Sequence, residues 1–434
     1  MEKMETIRIG MLGLGTVGGA TYRILHDQKK RLEKRVGAKL VVERVADKRT
    51  EIARELGIPE ETFTTEADDV LEDENIQIVI ELIGGLEPAR SFIIRALKSG
   101  KTVVTANKEV MASSGAEMIA LARENQAGLY FEASVGGGIP LLRGVHQGLA
   151  GNQVSEIFGI VNGTTNYILT KMSHGGMEFE DALEEAREMG YAEADPSYDI
   201  EGLDAAHKIA ILASIAFGKW VTVDMVFREG IQGITQKDIA NARDLGYAIK
   251  LLAISKRSRP GPEVRVHPTL IPSDHLLSSV LDNFNAIFVH TDSAGPGLFY
   301  GTGAGGPSAG SAVVADVLDA SRSIISNSGM GFESGLPAVK AARVKDMGDL
   351  TTRYYVRLRV KDKPGALGSI ANVFGEEDIS LASVRQAEEN KKVVDLVFMT
   401  HEAVERNLRE ALKRIGKLDV VKEVGACIRV EGGI

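Results

Sequence analysis

The residues with the most chemistry to offer lie between positions 190 and 208. Glu193, Asp195 and Asp199 place carboxylates in the run Gly190-Tyr191-Ala192-Glu193-Ala194-Asp195-Pro196-Ser197-Tyr198-Asp199, and Asp204 precedes Lys208 by four residues. That spacing puts Asp204 and Lys208 on one face of a helix. Lys208 leads into Ile209-Ala210-Ile211-Leu212-Ala213, an apolar run that reads as a buried helix. A lysine entering such a helix needs a partner or a purpose. An amine beside a carboxylate can move a proton at a substrate oxygen; the plain alternative is a surface salt bridge. Burial favours the neutral amine that a proton acceptor needs, whereas a carboxylate one turn away opposes it.

A second constellation is Gly13-Leu14-Gly15-Thr16-Val17-Gly18. It follows the apolar run Ile7 to Leu12 and opens a helix through Ala20, Tyr22, Ile24 and Leu25, the context that gives such a glycine loop meaning. Gly13 permits a tight turn, Gly15 lets the backbone approach a pyrophosphate, and Gly18 allows close helix–strand packing. The first helical amides then face the phosphates. Asp47 closes the next strand, where a carboxylate hydrogen-bonds a ribose 2′-hydroxyl and favours NAD. Lys48 and Arg49 follow at once and suit a 2′-phosphate, or form a solvated turn. NAD and NADP both stay open.

The elements that must carry these residues are legible as alternating patterns. Short apolar strands at Ile7 to Leu12, Leu40 to Ala46, Ile76 to Ile80, Thr102 to Thr105 and Leu129 to Glu132 alternate with helices, one of them Pro88 to Leu97. This is the pattern of a parallel sheet covered on both faces, so residues 1–136 are expected to form a Rossmann-type α/β nucleotide-binding domain, completed by 306–330. Residues 137–305 are expected to form an α+β catalytic and dimerisation domain, with strands at Val154 to Val161, Leu252 to Ile254, Val264 to His267 and Ala286 to His290. The glycine-rich stretch Gly295 to Gly310 reads as a loop before a helix from Ala312 to Ile325, and 331–350 as a linker. In residues 351–434 the order of strands and helices is βαββαβ, the ferredoxin-like plan. Its first strand alternates Tyr354, Val356, Leu358 and Val360 with Arg353, Tyr355, Arg357 and Arg359, the pattern of a half-buried strand.

Bulk properties narrow the field. A chain of 434 residues carries more than one core. Its net charge of −9 repels nucleic acid and anionic membranes, and no apolar run reaches the roughly 20 residues of a membrane span. The first residues lack the apolar region of a signal peptide. The single cysteine, Cys427, excludes an internal disulfide framework and a cysteine-based zinc site, and reads as a strand core residue. A cytoplasmic enzyme is the expectation, with no nucleic-acid or membrane partner.

The span Ala186 to Lys208 resembles the homoserine dehydrogenase signature in Ala186, Gly190, Asp195-Pro196, Asp199, Gly202, Asp204 and Lys208. The resemblance extends to Gly13 through Gly18, Thr105-Ala106-Asn107-Lys108, Glu132 through Pro140, and Asn162-Gly163-Thr164-Thr165-Asn166. It implies interconversion of L-homoserine and L-aspartate 4-semialdehyde with NAD or NADP, within threonine, methionine and isoleucine biosynthesis. Lys208 would carry the proton, Asp204 would hold the substrate hydroxyl, and Lys108 would stabilise a developing alkoxide near the nicotinamide. Glu193 would bind the substrate ammonium, with Gly190, Tyr191, Asp199 and Thr164 completing the pocket. Gly13, Gly15, Thr16, Val17, Gly18, Asp47, Arg49, Lys108 and Gly305 would meet the cofactor. Glu132 with the carbonyls of Val135, Gly137 and Ile139 resembles the family's structural monovalent-cation site, a hard-oxygen set suited to sodium; the alternative is a glycine run that simply turns the chain. The stretch Gly306-Pro307-Ser308-Ala309-Gly310 departs from relatives, which leaves the contact of that loop open.

Residues 351–434 resemble an ACT domain through Val360-Lys361-Asp362-Lys363-Pro364-Gly365-Ala366-Leu367. Such modules pair side by side and bind amino acids, which implies a homo-oligomer, dimer or tetramer, with L-threonine as effector; a dimerisation module without ligand is the alternative. A 3-phosphoglycerate dehydrogenase relative would carry its glycine loop mid-chain. An aspartate-semialdehyde dehydrogenase would need a nucleophilic cysteine outside the tail. A sensor without turnover would not need Asp204, Lys208, Lys108 and Glu193 together.

Overall fold

The computed structural model describes residues 5–328, 331–332, 336, 340–386 and 392–432. The chain forms two compact units. One comprises Met1–Ile157, His207–Val226 and Ile287–Ala342; the other comprises Phe158–Ala206, Phe227–Ala286 and Arg343–Ile434.

The first unit is built on a parallel sheet of β1 (Thr6–Leu12), β2 (Lys39–Ala46), β3 (Phe63–Thr64), β4 (Ile78–Glu81), β5 (Thr102–Thr105) and β6 (Leu129–Tyr130), in the order β3-β2-β1-β4-β5-β6. Ile7, Ile9, Met11, Ile78, Val79, Ile80, Val103 and Val104 are at most 1% exposed, as apolar runs covered on both faces must be. Strand order reverses between β1 and β4, which opens a crevice at their carboxyl ends. The helix Gly306–Ile325 packs against the helix Thr16–Asp27. The approach is close enough that a Cβ on Gly306 would lie 2.7 Å from the Thr16 carbonyl oxygen. Two expectations are corrected here. The helix starts at Gly306 rather than Ala312, and the stretch before it holds a strand, Gly295–Thr302, rather than loop alone. Gly295, Gly297 and Gly301 have no side chains to show an alternation.

The second unit contains a mixed sheet. Tyr247–Lys256 pairs antiparallel with Glu263–Pro272, which pairs in parallel with Val421–Val430. Val421–Val430 pairs antiparallel with Thr351–Lys361, and the sheet continues through Val393–Thr400 to Leu381–Gln386. The tail has the expected βαββαβ order. Its helices Ala366–Glu376 and Glu405–Ile415 bury Ile370, Phe374, Leu408 and Ile415 against Tyr354, Val356, Leu358 and Phe398.

The first strand of that tail is not half-buried. Tyr355 is fully buried and Arg357 is 6% exposed, because the helix Gln236–Asp244 lies against them. Asp238, fully buried in that helix, accepts from Arg357 Nε at 2.8 Å and Nη2 at 3.1 Å, from the Tyr355 hydroxyl at 3.0 Å and from the Thr235 hydroxyl at 2.6 Å. The charged face was polar in order to pair, not to meet water. The strand seam is also ionic: Arg265 and Lys256 both reach Glu431, at 2.6 and 2.7 Å, and Arg429 reaches Glu405 and Glu229. Cys427 stands opposite Val356, and burial pushes its thiol up to about 12, so it carries no thiolate at neutral pH.

Residues 331–350, expected as a linker, fall partly outside the described residues; Met347–Asp349 form a single turn of 3-10 helix. No helix among the described residues is long and apolar enough to cross a membrane.

Candidate active site

The glycine loop lies at the switch point of the parallel sheet. Gly13 has φ of +98°, and a Cβ there would meet the Leu82 carbonyl oxygen at 2.6 Å; a Cβ on Gly18 would meet the Gly13 carbonyl oxygen at 2.1 Å. Both positions therefore require glycine. A Cβ on Gly15 would find only Arg49 Nη2, 3.7 Å away. Gly15 is the N-cap of the helix Thr16–Asp27 and has no side chain to satisfy its first amides. Open space over unsatisfied amides at a helix N-terminus, with Thr16 and Val17 as the first helical residues, suits a pyrophosphate.

Asp47 lies where a ribose carboxylate is expected, and its oxygens are already engaged. It accepts from the Leu14 amide at 2.5 Å and from Arg49 through the backbone amide at 2.9 Å, Nε at 3.1 Å and Nη2 at 3.0 Å. Burial alone would raise its pKa; the Arg49 and Leu14 hydrogen bonds outweigh it and hold the carboxyl below its ordinary value. Lys48 points instead to Glu66, 3.4 Å away across exposed surface. A cavity of about 520 Å³ is lined by Leu14, Gly15, Thr16, Arg49, Gly306 and Pro307, among others. The chain returns to this region at Gly303–Gly306, where a Cβ on Gly137 would meet the Gly303 carbonyl oxygen at 2.7 Å.

Lys108 is the first residue of the helix Lys108–Glu124 and is half-buried. Asn107 holds that turn in place. Its side chain accepts from the Val110 amide at 3.0 Å and donates to the Gly85 carbonyl at 2.8 Å, while its amide donates to the Thr105 hydroxyl. That hydroxyl donates in turn to Glu81, whose carboxyl burial drives upward in pKa. In the sequence Asn107 is marked only as part of the Thr105–Lys108 motif and Glu81 is given no role, although an asparagine directly before a helix is a readable cap signal. Lys208 lies in the helix Leu203–Phe217 and is 9% exposed.

Glu132 is 4% exposed and its two carboxylate oxygens accept from the Leu142 and Arg143 amides, each at 2.9 Å. Burial, reinforced by Asp316, pushes its pKa up to about 7. The Ile139 carbonyl accepts from the Leu141 amide at 2.7 Å. Each Glu132 carboxylate oxygen and the Ile139 carbonyl oxygen accepts one hydrogen bond and keeps a lone pair, so the all-oxygen set of Glu132 with the Val135, Gly137 and Ile139 carbonyls has the donor chemistry a hard cation takes. Among the described residues no group of three or more His, Cys, Asp or Glu side chains is placed to hold a metal ion.

In the second unit the structure gathers a group of polar residues. Asn162 caps the helix Gly163–Gly175, and its Nδ2 donates to Asp199 at 2.7 Å and to Asp204 at 2.8 Å. Asp204 is 3% exposed. The Thr164 hydroxyl donates to the Tyr191 carbonyl at 2.7 Å, and the Tyr191 ring stands edge-on to Tyr167, centroids 4.9 Å apart. Gly190, with φ of +72°, turns the chain between the helix Phe179–Glu188 and this group. Glu193 is exposed on the same turn.

A glycine loop at the switch point of a parallel sheet in this strand order marks a dinucleotide-binding oxidoreductase of the Rossmann class. Comparison with known proteins narrows the class. Residues 140–318 match the family model "Homoserine dehydrogenase", residues 13–132 match "Homoserine dehydrogenase, NAD binding domain", and residues 354–420 match "ACT domain". The homoserine dehydrogenase of Bacillus subtilis is 40% identical over 433 residues, covering 99% of each chain. The crystal structure of a homoserine dehydrogenase from Thiobacillus denitrificans superimposes with a TM-score of 0.94 at 40% identity over 100% of both chains. A hyperthermophilic archaeal homoserine dehydrogenase mutant in complex with NADPH covers 73% of this chain and 97% of its own, at 29% identity and a TM-score of 0.62. The chain belongs to the homoserine dehydrogenase family and is an oxidoreductase with an ACT domain.

Proposed function

We propose that the chain interconverts L-homoserine and L-aspartate 4-semialdehyde, with Lys208 as the proton carrier and Asp204 holding the reacting hydroxyl. The observation that carries this reading is a buried carboxylate and a buried lysine one turn apart on the helix Leu203–Phe217. When bound, the nicotinamide supplies the chemistry of hydride exchange with C4. In alcohol oxidation the Lys208 amine takes the hydroxyl proton; in aldehyde reduction it returns a proton to the carbonyl oxygen. Lys108 adds positive charge where the oxygen becomes anionic. Glu193 pairs with the substrate ammonium, and Thr164, Gly190, Tyr191 and Asp199 line the pocket. Gly13, Gly15, Thr16, Val17, Gly18 and Gly305 hold the dinucleotide, with Asp47 and Arg49 at its ribose. Steady-state formation of NADH or NADPH from L-homoserine tests the reaction; no turnover with either cofactor refutes it.

The finer readings rest on the same frame. Glu132 and the backbone oxygens of Val135, Gly137 and Ile139 hold a monovalent cation, sodium, with a structural role; replacing sodium chloride by choline chloride at equal ionic strength should lower the melting temperature. The reaction belongs to threonine, methionine and isoleucine biosynthesis in the cytoplasm, in a homo-oligomer. L-Threonine binds the tail, where Gly365 starts the helix Ala366–Glu376 without a side-chain cap and leaves amides for a ligand carboxylate. Titration of L-threonine into the homoserine assay tests that role, and unchanged rates refute it.

A further inference from the structure

Asn162 is 5% exposed and uses both ends of its side chain. Its Oδ1 accepts from the Thr165 amide at 2.8 Å and from the Thr165 hydroxyl at 2.9 Å. Because that end faces an N–H, the amide orientation is determined and the other end must be nitrogen. The two protons of Nδ2 then go to two different carboxylates, Asp199 at 2.7 Å and Asp204 at 2.8 Å. A side-chain amide nitrogen only donates, so each bond demands an acceptor oxygen on the aspartate. Two carboxylates this close repel, and donation from one nitrogen to both offsets part of that repulsion.

The turn itself is fixed from below. Asn166, one helical turn on, donates to the Val280, Asp282 and Phe284 carbonyls, and the buried Lys250 donates to Asn166 Oδ1 at 3.2 Å. Asn162 is thereby a rigid post rather than a mobile polar side chain.

We infer that Asn162 is a positioning residue that orients the Asp204 carboxylate, braced by Asp199, so that Asp204 meets the substrate hydroxyl in a single direction. The inference rests on the role given to Asp204 above. It separates from a purely structural role because asparagine, aspartate and serine all cap helices well, whereas neither aspartate nor serine can donate to both carboxylates. Asn162→Ser and Asn162→Asp are each expected to lower kcat for L-homoserine by about 10- to 100-fold, the scale of a lost hydrogen bond to a charged group. The homoserine KM should rise less than about threefold, with cofactor binding by fluorescence titration unchanged. Asn162→Ala, which also removes the cap, should lower the melting temperature as well.

A folded Asn162→Ser variant with the unsubstituted kcat overturns the inference and leaves Asn162 a cap alone. A variant changed only in KM overturns it too. If the unsubstituted chain itself fails to turn over L-homoserine, the proposed reaction falls, and with it any role of Asn162 in that reaction.

Discussion

Arg49 grips the Asp47 carboxylate through its own backbone amide, Nε and Nη2, within 3.1 Å at each contact. The carboxylate side chain is 7% exposed and the guanidinium 51%, so arginine rather than aspartate presents itself outward. A neutralised aspartate does not repel a 2′-phosphate, and a half-exposed guanidinium can bind one. Arg49→Ala is therefore expected to lower kcat/KM for NADP by about 10- to 100-fold while changing that for NAD less than threefold. Parallel initial-rate measurements with the two cofactors check this. Equal losses with both would show that Arg49 serves only to hold Asp47.

Lys208→Ala should lower kcat by at least about 10²-fold and leave cofactor affinity little changed, since a proton carrier is lost without disturbing the nucleotide pocket. Initial rates with L-homoserine, together with a cofactor binding titration, provide the check. Turnover near that of the unsubstituted chain would remove Lys208 from the proton path.

Arg357→Leu should destabilise the fold by about 3 kcal/mol, the scale for stranding one member of a buried ion pair. Asp238 is fully buried and would keep neutral donors, the Tyr355 hydroxyl and the Thr235 hydroxyl and amide, in place of the guanidinium. Chemical denaturation is the measurement, and a change under about 0.5 kcal/mol would mean that the pair contributes little.

Glu132 and Asp316 give the stability a pH dependence of defined sign. Burial pushes Glu132 up to about 7 from 4.5, and Asp316 up to about 6 from 3.8. A carboxyl whose folded pKa is raised binds its proton more tightly in the native state. Its contribution is thus complete below the unfolded pKa and is lost as pH rises through the folded value. Glu132→Gln cannot ionise, so its stability relative to the unsubstituted chain should improve by about 3 kcal/mol between pH 4.5 and pH 8. Denaturation midpoints at the two pH values test the slope; a constant difference would count against a titrating Glu132.

The parallel sheet and its glycine loop were readable because apolar runs such as Ile78–Glu81 are covered on both faces, and glycines mark the turns between them. The pair Asp204 and Lys208 was readable from spacing along one helix. Asn162 could be seen as part of a motif but not as a bridge, since its partner Asp204 lies 42 residues away. Arg357 looked like a solvent-facing residue for a similar reason: alternation reports which side chains are polar, and the buried carboxylate that satisfies this one lies 119 residues back. The strand Gly295–Thr302 escaped because its glycines and exposed positions erase the pattern that marks a strand.

The parallel pairing of Thr269 with Arg429 and of Leu270 with Val430 makes the tail a graft grown into its stock. Cutting the chain at residue 350 would strip Glu263–Pro272 of a neighbour and bare a hydrogen-bonding edge, with Glu431 gone from Arg265 and Lys256. A foreign module exchanged for residues 351–434 would have to bring both a matching last strand and an acid to follow it. Compatibility between the ACT domain and the rest of this chain is thus written into a few residues at the join.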